Sequence, residues 1–242
     1  MAAIEIRDLS KNYKDKKAVD SLSLTVEEGE LFALLGVNGA GKTTTIKMLS
    51  CISKPSGGDA LIMGRSIIDE PLSVKEIINV SPQETAVAPM LTVRENLELI
   101  CGIHGFSKQQ SKEKTDKIID EFSLSEIEKS KAKTLSGGWQ RRLSIAMAII
   151  TEPRVLFLDE PTLGLDVLAR RELWKMIEKL KSSMTIILTT HYLEEAQSLS
   201  DRIAIMAKGR LSAVGTAQEL MELSGKSSLE DAFVALCEEG EK

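Results

Sequence analysis

The sequence predicts an α/β fold with a mostly parallel central sheet, and three observations carry that prediction. Short runs of strand length recur at 31–35, 77–80, 155–158, 185–188 and 202–206. Helical stretches alternate with them, and two of the runs end directly on glycines or carboxylates suited to a ligand. Parallel neighbours need crossover connections, which the helices supply. Earlier in the chain, Ile4-Glu5-Ile6-Arg7 and Leu22-Ser23-Leu24-Thr25-Val26 alternate apolar with polar residues, a pattern that predicts an antiparallel β edge.

The run 31–35 leads into Gly36-Val37-Asn38-Gly39-Ala40-Gly41-Lys42-Thr43, and Thr44-Thr45-Ile46-Lys47-Met48-Leu49 then reads as a helix. Strand, glycine-rich turn and helix is the context in which G-x-x-x-x-G-K-T cradles a polyphosphate. Glycines let successive backbone N–H groups point inward, and the helix N-terminus adds its positive dipole end. Lys42 has the reach for the β and γ phosphates, and the Thr43 hydroxyl suits Mg2+. ATP or GTP binding is expected.

Between Gln83 and Trp139 the composition changes. Val93-Arg94-Glu95-Asn96-Leu97-Glu98-Leu99-Ile100 and the stretch 111–122 have helical periodicity, punctuated by Gly102, Gly105 and Ser107, so a helical insert is expected at about 84–150. Its lysine-rich stretch, 108–117, reads as a solvated helix face.

The four apolar residues Val155-Leu156-Phe157-Leu158 suit a strand covered on both faces, and the chain leaves it through Asp159 and Glu160. Two adjacent carboxylates at a strand end can divide labour: Asp159 in the Mg2+ shell, Glu160 on the attacking water. A plain acidic cap before Pro161 is the structural alternative, and the phosphate loop upstream favours catalysis. The last apolar strand, 185–188, runs on through Thr189-Thr190 to His191. At the far end, Ser228-Leu229-Glu230-Asp231-Ala232-Phe233-Val234-Ala235-Leu236 carries apolar residues at helical spacing, suiting either a helix docked on another subunit or one packed on this core.

With Leu135-Ser136-Gly137-Gly138-Trp139 a short helix ahead of the Asp159-Glu160 strand, the chain resembles the P-loop NTPases that form the nucleotide-binding subunits of ATP-binding-cassette (ABC) transporters. The resemblance covers roughly 4–223. It implies one nucleotide-binding domain over 1–223, with the helical subdomain inserted at about 84–150 and a short helical tail at 224–242. It further implies an ATPase in which Glu160, His191 and Lys42 are catalytic. Tyr13 matches the aromatic that stacks on adenine, Gln83 the Q-loop glutamine that joins Thr43 and Asp159 around Mg2+, Asp166 in Leu163-Gly164-Leu165-Asp166 the D-loop, and His191 the switch histidine. Thr44 extends the phosphate contacts. In the family two cassettes face head to tail, so that Leu135, Ser136, Gly137 and Gly138 of one chain complete the ATP site of the other. Bland alternatives stand beside three of these: an exposed tyrosine in a turn, a glutamine capping a turn after Pro82, and a satisfied structural histidine. Two departures from the family pattern are Trp139, where glutamine is commoner, and Leu-Gly-Leu-Asp in place of Ser-Ala-Leu-Asp. Trp139 puts the packing around the signature helix in doubt rather than its phosphate contacts.

The tail resembles that of short ATPase subunits serving ABC-2-type permeases. The regulatory C-terminal domain of many sugar importers is missing, and Lys131-Ala132-Lys133-Thr134 stands where fused exporters carry a Glu-rich loop. Export is the expected direction, with an integral membrane permease and a second ABC ATPase subunit, homodimeric or paralogous, as partners. Thirty-one Lys and Arg against 36 Asp and Glu give a formal charge of −5 without a large basic block, so nucleic acid is not expected as a partner. Cys51, Cys101 and Cys237 are too few and too scattered for a disulfide framework or metal site, which fits a reducing cytosol. Met1 to Ser10 lacks an apolar signal region, and no stretch approaches the roughly 20 apolar residues of a membrane span. The expected location is therefore cytoplasmic, on the inner face of the membrane, with the pore in another polypeptide. The alternative is a soluble ABC ATPase remodelling a nucleic-acid or ribosomal complex. Such proteins usually fuse two cassettes or carry long coiled coils, which this chain does not.

Overall fold

A computed structural model describes residues 1–14, 16–181 and 183–239. The chain opens with two twelve-residue strands, β1 (Ala2–Tyr13) and β2 (Lys16–Glu27). Ile4, Ile6 and Leu9 of β1 face Val26, Leu24 and Leu22 of β2. The β1/β2 register shifts at four places, and the one at Asp8, whose φ is 49°, marks a bulge that returns Leu9 to the buried side. After β3 (Leu31–Leu35) and α1 (Lys42–Leu49), the strands β4 (Gly57–Ile62) and β5 (Arg65–Ser66) complete an antiparallel sheet of order β2-β1-β4-β5.

The second sheet takes β3 as a central strand. A short helix α2 (Pro71–Lys75) leads to β6 (Ile78–Ser81), one residue later than the apolar run suggests. Ile77 still belongs to the turn after α2: its N–H donates to the carbonyl of Val74 at 3.1 Å, while its carbonyl accepts the first ladder bond from the Val155 N–H at 3.2 Å. Next come α3 (Val93–Ile103), α4 (Lys108–Glu121) and α5 (Gly137–Ile149), then β7 (Val155–Asp159), α6 (Val167–Leu180), β8 (Thr185–Thr190), α7 (Leu193–Leu199), β9 (Arg202–Ala207), β10 (Arg210–Gly215), α8 (Ala217–Ser224) and α9 (Leu229–Glu239). The order across the sheet is β10-β9-β3-β8-β7-β6, parallel throughout except for β10 against β9.

Register explains where a ligand can sit. Leu35 pairs with Thr190, Asp159 with Thr189 and Ser81 with Leu158, so four strands finish together. The residues that follow them, Gly36, His191, Glu160 and Pro82-Gln83, therefore emerge at one edge, the carboxyl end of a parallel sheet.

Every residue of β3 and β7 is buried, and alternate residues feed different cores. Phe32, Leu34, Val155 and Phe157 join Ile46 and Met48 of α1 and the inner face of the antiparallel sheet. Leu31, Leu156, Leu158, Ile186 and Leu188 meet α3, α4 and α5 on the other face. The stretch 84–150 thus has no core apart from the sheet. Thr92 and Ser107 start α3 and α4 with capping boxes, and Arg94 fastens α3 to Glu128 and Asp116 at 2.7 and 2.6 Å. On α4, Lys108, Lys112 and Lys117 are solvated, while Lys114 is half-buried and bridges to Glu152 at 3.0 Å.

Ala33, Leu35, Ile203 and Ile205 form a third core with Leu220, Leu229 and Leu236 of the last two helices. The tail lays its apolar face there, and residues 240–242 lie outside the described part. None of the described helices is long and apolar enough to cross a membrane.

Candidate nucleotide site

The glycine-rich loop owes its shape to two positions. Gly41 has φ 106°, and a β-carbon on it would meet the carbonyl oxygen of Ala18 at 2.6 Å; one on Gly36 would meet that of Met206 at 2.5 Å. Gly41 is the N-cap of α1, so the helix's first N–H groups open onto the loop. Below it lies a cavity of about 510 Å³. Asn38, Gly39, Ala40, Gly41, Lys42, Thr43 and Thr44 line one side, Tyr13 with Lys16 and Ala18 another, and Gln83, Glu160, Leu163 and His191 the rest. Tyr13 is 46% exposed, with the Lys11 Nζ 5.1 Å from its ring centre. Gly36 and Val37 face a smaller hollow of about 240 Å³ shared with Asn38, His191 and Phe233. A third cavity, of about 600 Å³, is larger than the loop cavity but lies between α4 and α6, lined by Ile118, Phe122, Met176 and Met184 and by none of the glycine loop. Of its lysines, Lys114 and Lys117 pair with Glu152.

The charged groups form one chain of contacts. The Lys42 ammonium donates to the Gly36 carbonyl at 2.7 Å and pairs with Glu160 Oε1 at 3.2 Å, and Glu160 Oε2 lies 2.8 Å from His191 Nδ1. Glu160 is only 5% exposed, and its backbone adopts φ 48°, a left-handed conformation costly for a side chain of this kind. Its N–H donates to both the carbonyl and the hydroxyl of Thr189, each at 3.1 Å, which holds the turn in place.

Asp159 sits one step deeper. Its Oδ1 accepts from the hydroxyls of Thr43 at 3.1 Å and Thr189 at 2.5 Å. A carboxylate and a hydroxyl beside a phosphate-binding loop match the hard oxygen donors that Mg2+ takes, two from protein and the others from phosphate and water. The donor set fits the ion without an all-protein cage. Gln83 reaches the same cavity from the end of β6.

Other expected residues stand elsewhere. Leu135 and Ser136 precede α5, and Gly137 and Gly138 open it, outside the cavity walls. Asp166 caps α6: its Oδ1 accepts from the N–H groups of Leu168 and Ala169, both at 2.9 Å. Trp139 is half-buried against the helical core, with the Arg142 guanidinium 4.3 Å from its ring centre, so the residue that departs from the pattern has a packing role.

Three neighbours of the site carry no motif. Thr189 ties Asp159 to the Glu160 turn, and two polar residues closing an apolar strand were its only visible sign. Arg141 reaches the residues after β6 from α5. Glu195, fully buried on α7, accepts from the Trp174 indole at 3.0 Å. Burial raises its carboxyl pKa above the ordinary value, and the Glu160 charge adds to the rise, against the hydroxyls of Thr190 and Thr162 and the indole.

A parallel sheet with this loop at the end of β3 and an Asp-Glu pair at the end of β7 defines a P-loop NTPase. Comparison with known proteins narrows the class. The ABC transporter family pattern matches residues 19–163. The chain is 42% identical over 228 residues to the daunorubicin/doxorubicin resistance ATP-binding protein DrrA of Streptomyces peucetius, an alignment covering 94% of this chain and 69% of that protein. It is 40% identical over 229 residues to the phospholipid-transporting ATPase ABCA3 of Homo sapiens, covering 93% of this chain but 13% of the relative. Among solved structures, an ATP-binding subunit of an ABC transporter superposes with a TM-score of 0.86 at 31% identity, over 97% of this chain and 99% of that one. A dimeric ATP-binding cassette bound to ADP and phosphate shares the fold, with a TM-score of 0.79 at 24% identity over 88% and 98% of the two chains. The chain belongs to the ABC transporter family, as an ATP-binding cassette and ATPase.

Proposed function

We propose that this ATPase powers export through a separately encoded ABC-2-type permease, by closing and reopening a pair of cassettes. One observation carries the reading: the signature residues stand apart from the loop cavity. Loop, carboxylates and histidine surround one cavity, while Ser136, Gly137 and Gly138 stand outside it at the start of α5. A second cassette, identical or paralogous, supplies the missing wall. The names of the DrrA relatives, which are drug-resistance ATP-binding proteins, support export.

In this reading Tyr13 stacks on adenine, the loop amides and Lys42 hold the phosphates, and Thr43, Asp159 and Gln83 hold Mg2+. The metal, when bound, neutralises phosphate charge. Glu160 orients the attacking water, and His191, already hydrogen-bonded to Glu160, fixes that carboxylate and meets the γ-phosphate. Water attacks phosphorus, the β–γ bridging bond breaks, and ADP and phosphate leave. The permease contact falls on the helical stretch: Leu99 and Ile103, one turn apart on α3, are exposed, as is Met90 just before it. The chain would therefore work against the inner face of the membrane.

Tagged Glu160→Gln protein, locked with Mg-ATP in its native cells and gently solubilised, tests this directly. The expected companion is a stoichiometric multi-span membrane protein. Recovery only from the soluble fraction, with ribosomes or nucleic acid, would overturn the transporter reading.

A further inference from the structure

Arg141 is buried to 4% exposure in the second turn of α5, and among the described residues no carboxylate lies within ion-pair distance of it. A buried guanidinium is costly unless its donors are used. Here one N–H donates to the carbonyl of Pro82 at 2.6 Å and another to that of Gln83. Two carbonyls in succession suit the rigid fork of arginine, whereas a lysine ammonium is a single point. The contact is reinforced nearby, where the Ser144 and Ser81 hydroxyls lie 3.1 Å apart. The preceding residue holds the other direction, because the Gln140 amide donates to the carbonyls of Ala132 and Leu135, both at 3.2 Å. The same two turns of helix thus grip the residues after β6 and the residues before the signature. Burial lowers the Arg141 pKa from its ordinary value, while the Asp159 and Glu195 carboxylates pull the other way.

We infer that Arg141 is the positioning residue for Gln83: it clamps the backbone of residues 82 and 83, holds the glutamine side chain at the nucleotide cavity, and ties that placement to the start of α5. The inference rests on the reading of the cavity as an Mg-ATP site. Its consequence is that a shift of Gln83 on metal or phosphate moves the signature segment of the same chain, which faces the partner's site.

The test uses full-length protein in the Glu160→Gln background, with a fluorescent ATP analogue titrated with and without Mg2+, and thermal melts as a check on folding. Arg141→Lys is expected to raise the half-saturating Mg2+ concentration roughly tenfold, the lower end of what outer-shell changes cost a metal site, with Mg-free binding unchanged. Gln83→Ala should do the same, and the double variant should be no worse than the poorer single one. Arg141→Gln, which sheds the buried charge and keeps an amide donor, replaces the lysine form if that form does not fold. Independent, multiplying effects of the two positions, an unchanged Mg2+ requirement, or equal loss with and without Mg2+ would each overturn the positioning role. Failure of the wild-type-loop protein to bind the analogue at all would remove the nucleotide reading, and this inference with it.

Discussion

At the scale of single residues, the site is a set of short contacts around Lys42, Glu160 and Asp159. Lys42→Ala removes the only ammonium the loop holds among the described residues at its floor, and is expected to weaken ATP binding by about tenfold or more, since charge-assisted contacts to phosphate are strong. Calorimetry decides it, and unchanged affinity would count against the loop as the phosphate cradle. Glu160→Gln leaves the fold and slows hydrolysis by roughly 10²-fold, the size of a lost acid-base group; wild-type turnover would remove Glu160 from that role. Glu195 has a different test. Its folded pKa is raised from 4.5, so the folded chain binds a proton more tightly than the unfolded one. That contribution is complete below the unfolded value and is lost as pH rises through the folded one. Glu195→Gln does not titrate, so its melting temperature relative to wild type should climb as pH rises from 4.5; a constant gap across pH would refute the account. Lys42, Thr43, Asp159 and Glu160 were legible in the sequence because spacing binds residue type to role. Thr189, Arg141 and Glu195 were not, because their partners lie far off in sequence and a threonine, arginine or glutamate says nothing alone.

At the scale of elements, the positions of strand ends matter more than their composition. Apolar runs marked β3, β7 and β8 well, since strands covered on both faces need no polar alternation. The start of β6 was displaced because the N–H of Ile77 is taken by the turn after α2, which side-chain patterns do not record. Helix starts follow the same logic. Asp166, expected at the nucleotide, spends Oδ1 on two N–H groups of α6. Asp166→Ala should therefore cost about 1 kcal/mol by loss of the cap, while Asp166→Asn restores most of it. Urea denaturation of the two variants separates the roles: equal stabilities would show that the cap carries no weight. The antiparallel edge was visible from alternation, yet its slip at Asp8 was not, because a bulge depends on the partner strand.

At the scale of the whole molecule, the split site makes a prediction that no single chain can satisfy. Lys42→Ala and Ser136→Ala proteins should each lose most hydrolysis, but a mixture forms pairs in which one site keeps an intact loop and an intact signature. Mixing is expected to restore part of the turnover. Absence of any recovery, with pairs shown to form, would mean that each chain completes its own site. The strand order, with β3 between β8 and β9, was beyond the sequence, because pairing is decided by crossovers and shared core faces rather than by any one segment. The tail left two readings open, and its buried leucines settle on the third core of the same chain.

The pairing of Lys42 with Glu160 bears on how the loop would take up phosphate. The Lys42 ammonium is held between Glu160 and the carbonyl of Gly36, buried at the foot of the loop. A phosphate entering the loop would therefore compete with a carboxylate and a carbonyl for that ammonium. Loading the loop then means parting that pair, so Lys42 would be drawn to the phosphates and Glu160 set free by the same event.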